Sequence, residues 1–158
     1  MTDLVALLQD FHREKLEMLL RHQAGARLVA QYDINNTYQY IVNREEVQLS
    51  WVAAALGELG AGVPADAREP DRGPAAADAS RIFDEDARDA QAFVDRWRPR
   101  VDVINARHAR MLQVILGEVL EAKRFFEQAR AGRTDLLGKR EEQLGPSHGD
   151  VLATRWIE

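Results

Sequence analysis

Apolar residues recur every three to four positions through most of this chain, the spacing of one face of an α-helix. Over residues 3–30 the stripe is Leu4, Leu7, Leu8, Phe11, Met18, Leu19, Ala26 and Val29, with Thr2 or Asp3 placed to cap its start. Around Tyr32-Asp33-Ile34-Asn35-Asn36-Thr37 the Asp, Asn and Thr side chains compete for backbone hydrogen bonds, so a turn is expected. A turn at Gln23-Ala24-Gly25 is the competing placement and would make 25–60 a single helix. From Tyr38 to Leu59 the stripe resumes with Ile41, Leu49, Val52 and Leu56, and Gly60-Ala61-Gly62 stops it.

Residues 61–80 hold three of the chain's five prolines among Ala, Gly, Asp and Arg, the composition of a flexible linker with nothing large to dock. A tight antiparallel connection needs only about 2–8 residues. Some twenty can run the length of a bundle, so the third helix can start at the same end as the second. Ser80 is expected to cap a third helix over 81–98, with Phe83, Ala90, Phe93, Val94 and Trp97 inward. Pro99 suits the first turn of a fourth helix. That helix runs to Ala131 on Ile104, Met111, Leu112, Ile115, Val119, Ala122 and Phe126, and Gly132 ends it. The expected fold is all-α: a four-helix up-down bundle over 1–131 with one long crossover between helices two and three, followed by a C-terminal tail over 132–158.

Composition narrows the picture. With 158 residues, 46% hydrophobic and 30% charged, the chain is the size of one ordinary globular domain. A net charge of −5 with no basic stripe argues against a nucleic-acid partner. No cysteine is present, which removes disulfides and thiolate chemistry and suits a reducing compartment. The first residues lack a secretion pattern and no apolar run approaches a membrane span. Cytoplasmic location is the expectation. No phosphate loop, nucleophile elbow or His-Glu-x-x-His pair occurs.

The segment from Gln31 to Trp51, QYDINNTYQYIVNREEVQLSW, resembles the helix pair of ferritin-like and rubrerythrin-like proteins, and Asn105-Ala106-Arg107-His108 through Leu112 resembles it more loosely. The resemblance implies a dimetal site, with a carboxylate from each of two helices and Glu-x-x-His from each of the others. Glu45 begins such a motif, with Gln48 where His belongs. His108 ends one, with Asn105 where Glu belongs. It further implies iron or manganese and oxygen-dependent oxidation. A second resemblance, to bundles with a three-histidine metal site, rests on His12, His22 and His108, which lack the usual His-x-x-x-His pair.

Helical phase gives these residues a separate meaning. At about 100° per residue, Glu45 falls amid Tyr38, Ile41, Leu49 and Val52, and His108 amid Ile104, Met111, Leu112 and Ile115. Lys15 and His22 sit among Phe11, Met18 and Leu19, and Asp86 at the edge of the Phe83–Ala90–Phe93 face. Asp86 lies thirteen residues before Pro99 and His108 nine after it, an offset of roughly 6 Å along a helix. His22 and Glu45 are each about ten residues from the first expected turn. Glu45, Asp86, His108, His22, Gln48 and Asn105 are therefore the candidate metal set. The competing reading is structural: a Lys15–Glu45 ion pair and a His108 bonded to Asp86 or a tyrosine, in a bundle without metal that serves as a binding or assembly module. Glu118 and Glu121 are read as facing water. The closing Val151-Leu152-Ala153-Thr154-Arg155-Trp156-Ile157-Glu158 carries apolar residues that nothing local buries. Trp156 is expected to dock on the bundle or on a second copy in a homodimer.

Overall fold

The computed structural model describes residues 3–64, 67–74 and 79–137. These hold helices α1 (Leu4–Ala26), α2 (Tyr32–Glu58), α3 (Ser80–Val101) and α4 (Ala106–Arg130). The proposed docking of Trp156 lies outside the described residues.

The helix ends explain where sequence and structure part. Asp3 caps α1, its Oδ1 accepting from the Ala6 amide at 3.2 Å. The turn occupies 27–31, between the two placements expected. Gln31 caps α2 by accepting from the Ile34 amide at 2.7 Å, and Asn35 Nδ2 reaches back to the Ala26 carbonyl at 2.8 Å. The polar run that reads as a breaker therefore serves the turn from inside the first turn of α2. Gly60 and Gly132 stop α2 and α4 as expected, both at positive φ, with the paired backbone bonds of a Schellman motif. Ser80 is the first residue of α3 rather than its cap; Ala79 takes the cap position without a side-chain bond.

Pro99 does not begin a helix. It lies inside the last turn of α3, which continues to Val101. Trp97 and Val101 are both fully buried on one face, and that burial outweighs the single backbone bond a proline removes. The second tight turn therefore falls at 102–105, several residues later than the proline suggests.

Cross-helix pairs give the topology. Asp10–Arg100, Glu14–Arg96 and Arg21–Asp89 join α1 to α3 with numbers rising on one and falling on the other. Glu58–Arg107, Gln48–Glu118 and Tyr40–Phe125 do the same for α2 and α4. With α1–α2 and α3–α4 as closely packed hairpins, α2 and α3 run in the same direction, and the crossover spans the bundle. This is the connectivity that a long middle linker implies.

The apolar core is split. One cluster, around Leu8, Phe11, Val52, Leu56, Phe93, Trp97, Val101 and Leu112, fills the end containing the α1 N-terminus. Phe11 meets Trp97 edge-on at 4.9 Å between centroids. A second, around Val29, Ile34, Tyr38, Phe83 and Phe126, fills the other end. Between them, Lys15, His22, Glu45, Gln48 and Asp86 bring polar groups into the interior, beside a small third apolar cluster of Leu19, Val42 and Leu49.

Candidate functional site

Helical phase puts Lys15, His22 and Glu45 inside and Asp86 at the edge of its face; all four are buried, as is Gln48. Burying an isolated carboxylate is costly, so each acid needs partners. Glu45 has two. Lys15 Nζ donates to its Oε2 at 2.6 Å, and His22 Nδ1 lies 2.8 Å from Oε1. Burial alone would raise the Glu45 carboxyl. The charges of His22 and Lys15 and their hydrogen bonds outweigh it and hold the group below its ordinary value. For His22, burial disfavours the charged ring, but the Glu45 carboxylate and bond, with the Asp86 charge behind them, raise it above its ordinary value.

Asp86 is the second buried acid. Its Oδ2 accepts the Tyr38 hydroxyl at 2.6 Å, and Arg72 Nη1 lies 2.8 Å from Oδ1. The Tyr38 hydroxyl is pushed well above its ordinary value, first by burial and then by the adjacent carboxylate, so it stays a neutral donor. His22 joins the two acids. Its ring packs edge-on to Tyr38 at 6.2 Å and tilted over Phe126 at 5.1 Å, while Nδ1 faces Glu45.

Gln48 faces a different neighbour from the one a Glu-x-x-His motif would give it. Its Nε2 donates to Glu118 Oε1 at 2.6 Å, and Glu118 Oε2 takes Arg44 Nη2 at 2.6 Å. Glu118 therefore does not simply face water; it is half-buried and anchors α4 to α2. Lys15, His22, Glu45, Gln48 and Glu118 line a cavity of about 20 Å³, room for one water molecule. His22 Nε2 and Gln48 Oε1 have no hydrogen-bond partner among the described residues.

His108 and Asn105 do not join this group. Asn105 is the N-cap of α4: its Oδ1 accepts from the His108 amide at 3.1 Å and lies 3.0 Å from His108 Nδ1. Their level on the bundle is set by Arg107–Glu58, thirteen residues of α2 beyond Glu45, or about 20 Å. Asp86 is farther still, because the displaced turn replaces the expected four-residue offset with many residues of helix. His108 accordingly bonds neither Asp86 nor a tyrosine.

Sequence reasoning missed Arg72, Tyr38 as the partner of Asp86, and Glu118. Arg72 lies in a segment without periodicity, so no helical phase could flag it. Tyr38 was legible as core, and its hydroxyl within the stripe is the signal that a polar partner is needed.

A metal would have to displace the chain's own cations. The Glu45 oxygens are engaged by an ammonium and an imidazole, and those of Asp86 by a phenol and a guanidinium. Among the described residues, no group of three or more His, Asp or Glu is arranged to hold a metal ion. The donor set as placed does not fit the dimetal centre that the ferritin resemblance implies.

Fold and site together define an all-α four-helix bundle with a layer of internal ion pairs. No family model matches the sequence, and no curated protein or solved structure matches the chain. No helix among the described residues is long and apolar enough to cross a membrane.

Proposed function

We propose that this chain is a ferritin-like bundle whose interior carboxylates are neutralised by its own side chains, and that it works as a binding or assembly module. The observation that carries this reading is Lys15 Nζ at 2.6 Å from Glu45 Oε2, with neither group exposed. An ammonium there supplies the positive charge that a metal would supply to the same carboxylate. A second copy is the partner this reading favours, because Val47 on α2 and Val114 on α4 are exposed apolar residues on adjacent helices.

The test is metal analysis of protein purified without chelator, beside thermal melts with EDTA, Fe(II) and Mn(II). Ligands that bind only the folded state raise its melting temperature, so this reading expects melts indifferent to all three additions. A near-stoichiometric metal content, or a rise of many degrees on loading, would overturn it.

One observation favours the other reading, an iron or manganese protein with oxidoreductase-type chemistry. His22 is oriented by a carboxylate through Nδ1 and leaves Nε2 unpartnered, the arrangement that metal-ligating histidines use. The same loading experiment decides between them.

A further inference from the structure

The crossover is polar and glycine-containing, yet among its described residues the Arg72 side chain enters the bundle. Arg72 belongs to no helix and is only 7% exposed. Its guanidinium is received on several sides. Nη1 donates to the main-chain oxygen of Arg21 at 3.0 Å, and Nη2 to Glu85 Oε1 at 3.0 Å. Nη1 also lies 2.8 Å from Asp86 Oδ1, while the other Asp86 oxygen takes the Tyr38 hydroxyl. Asp86 is fully buried, so without Arg72 its Oδ1 would keep only the more distant Arg21 guanidinium, at 4.0 Å.

The recess is shaped as well as charged. A Cβ on Gly25 would stand 2.8 Å from Arg72 Nη1 and 3.2 Å from Ile82 Cγ2, so any other residue in this turn of α1 would intrude on the slot. The arm that delivers the guanidinium is held separately: Arg81 Nη2 donates to the Arg72 carbonyl at 2.8 Å, and Gly73 turns the chain away at φ +91°. Among the described residues, every group that receives the guanidinium head comes from α1 or α3. Acceptors that meet both terminal nitrogens suit a planar fork of donors and suit an ammonium poorly.

We propose that the recess between Asp86, Glu85, the Arg21 carbonyl and Gly25 is a guanidinium-binding site, occupied in cis by Arg72, which takes an alkylguanidinium ligand once that side chain is withdrawn. The crossover is then a strap with a ligand-like contact among its fastenings, and an alkylguanidinium is the chemistry that competes for that contact. This inference is independent of whether the Glu45 region holds metal.

Chemical rescue tests it. R72G keeps the slot and removes its occupant; a fall of about 10 °C in melting temperature is expected for a buried carboxylate left unpaired. Ethylguanidinium at millimolar concentration should restore much of that loss, with a gain that grows logarithmically with ligand. Ethylammonium and sodium chloride at matched ionic strength should not, and R72G/D86N should not respond to ethylguanidinium. If R72G needs a cation to fold, refolding yield with ethylguanidinium against ethylammonium is the same readout. Equal rescue by both cations, rescue that survives D86N, or an R72G protein that melts like wild type would each overturn the site.

Discussion

Replacing Lys15 by methionine probes the polar layer most directly. The two side chains are similar in length, so K15M fills the space and removes only the ammonium. Glu45, with both oxygens buried, is left with His22 alone. Removing one partner of a buried pair costs about 3–5 kcal/mol. For a chain of this size each kcal/mol lowers the melting temperature by about 2–4 °C, so a fall near 10 °C is expected at pH 8. At pH 5.5 the fall should be smaller, because His22 can take the proton that restores a cation beside Glu45. Its affinity for that proton is higher in the variant, since Lys15 is one of the charges that oppose it. The double variant K15M/E45L should recover most of the loss, because apolar replacement of a whole buried pair is often neutral or stabilising. Thermal melts by circular dichroism at both pH values suffice. A K15M protein within about 2 °C of wild type at both would refute the reasoning, since the ammonium would then contribute nothing to holding Glu45.

The same charges set a pH window. His22 is raised above its ordinary 6.5, so its contribution is complete below that value and is lost as pH rises through the folded pKa. Glu45 is lowered from 4.5, so its contribution is complete above that value and is lost as pH falls through the folded pKa. Wild-type melting temperature should therefore be highest between, and H22Q should remove the decline on the alkaline side. Asn105→Ala should cost about 1 kcal/mol, the loss of an N-cap, and leave any response to Fe(II) unchanged in metal-loading melts; an altered metal response would restore Asn105 as a ligand. Limited trypsin followed by mass spectrometry should spare the Arg72–Gly73 bond in wild type and cut it in Gly25→Ala. In that variant the better helix propensity, worth about 1 kcal/mol, is set against a displaced guanidinium.

The helical phase of Lys15, Glu45, His22 and Asp86 was enough to place them inside, because burial follows from angle around one helix. Their heights were harder. Height depends on where turns fall, and turns here are set by burial at distant positions. Trp97 and Val101 carry α3 past a proline, and Asn35 fastens a turn from inside α2. Moving one turn by a few residues took His108 and Asn105 from the centre of the bundle to its end. The Glu-x-x-Gln and Asn-x-x-His patterns were thus split between two unrelated roles, an interhelix bond to Glu118 and a helix cap. Arg72 was invisible for the opposite reason: its position follows from where a crossover lies over a finished bundle.

The division into two hairpins carries a rule for self-recognition. Opposed across the seam are Asp10 and Arg100, Glu14 and Arg96, Arg44 and Glu118, Glu58 and Arg107, each a union of unlike charges from different hairpins. Two copies of the first hairpin would lack Arg96, Arg100, Arg107 and Glu118, and two copies of the second would lack the Tyr38 hydroxyl that Asp86 Oδ2 receives. Severed within the crossover, the halves would each prefer the other to themselves, because only the unlike pairing joins these charges and gives Asp86 the Tyr38 hydroxyl. The bundle is in that sense a heterodimer written on one chain, and its connecting segment sets the local concentration of two partners already matched by charge.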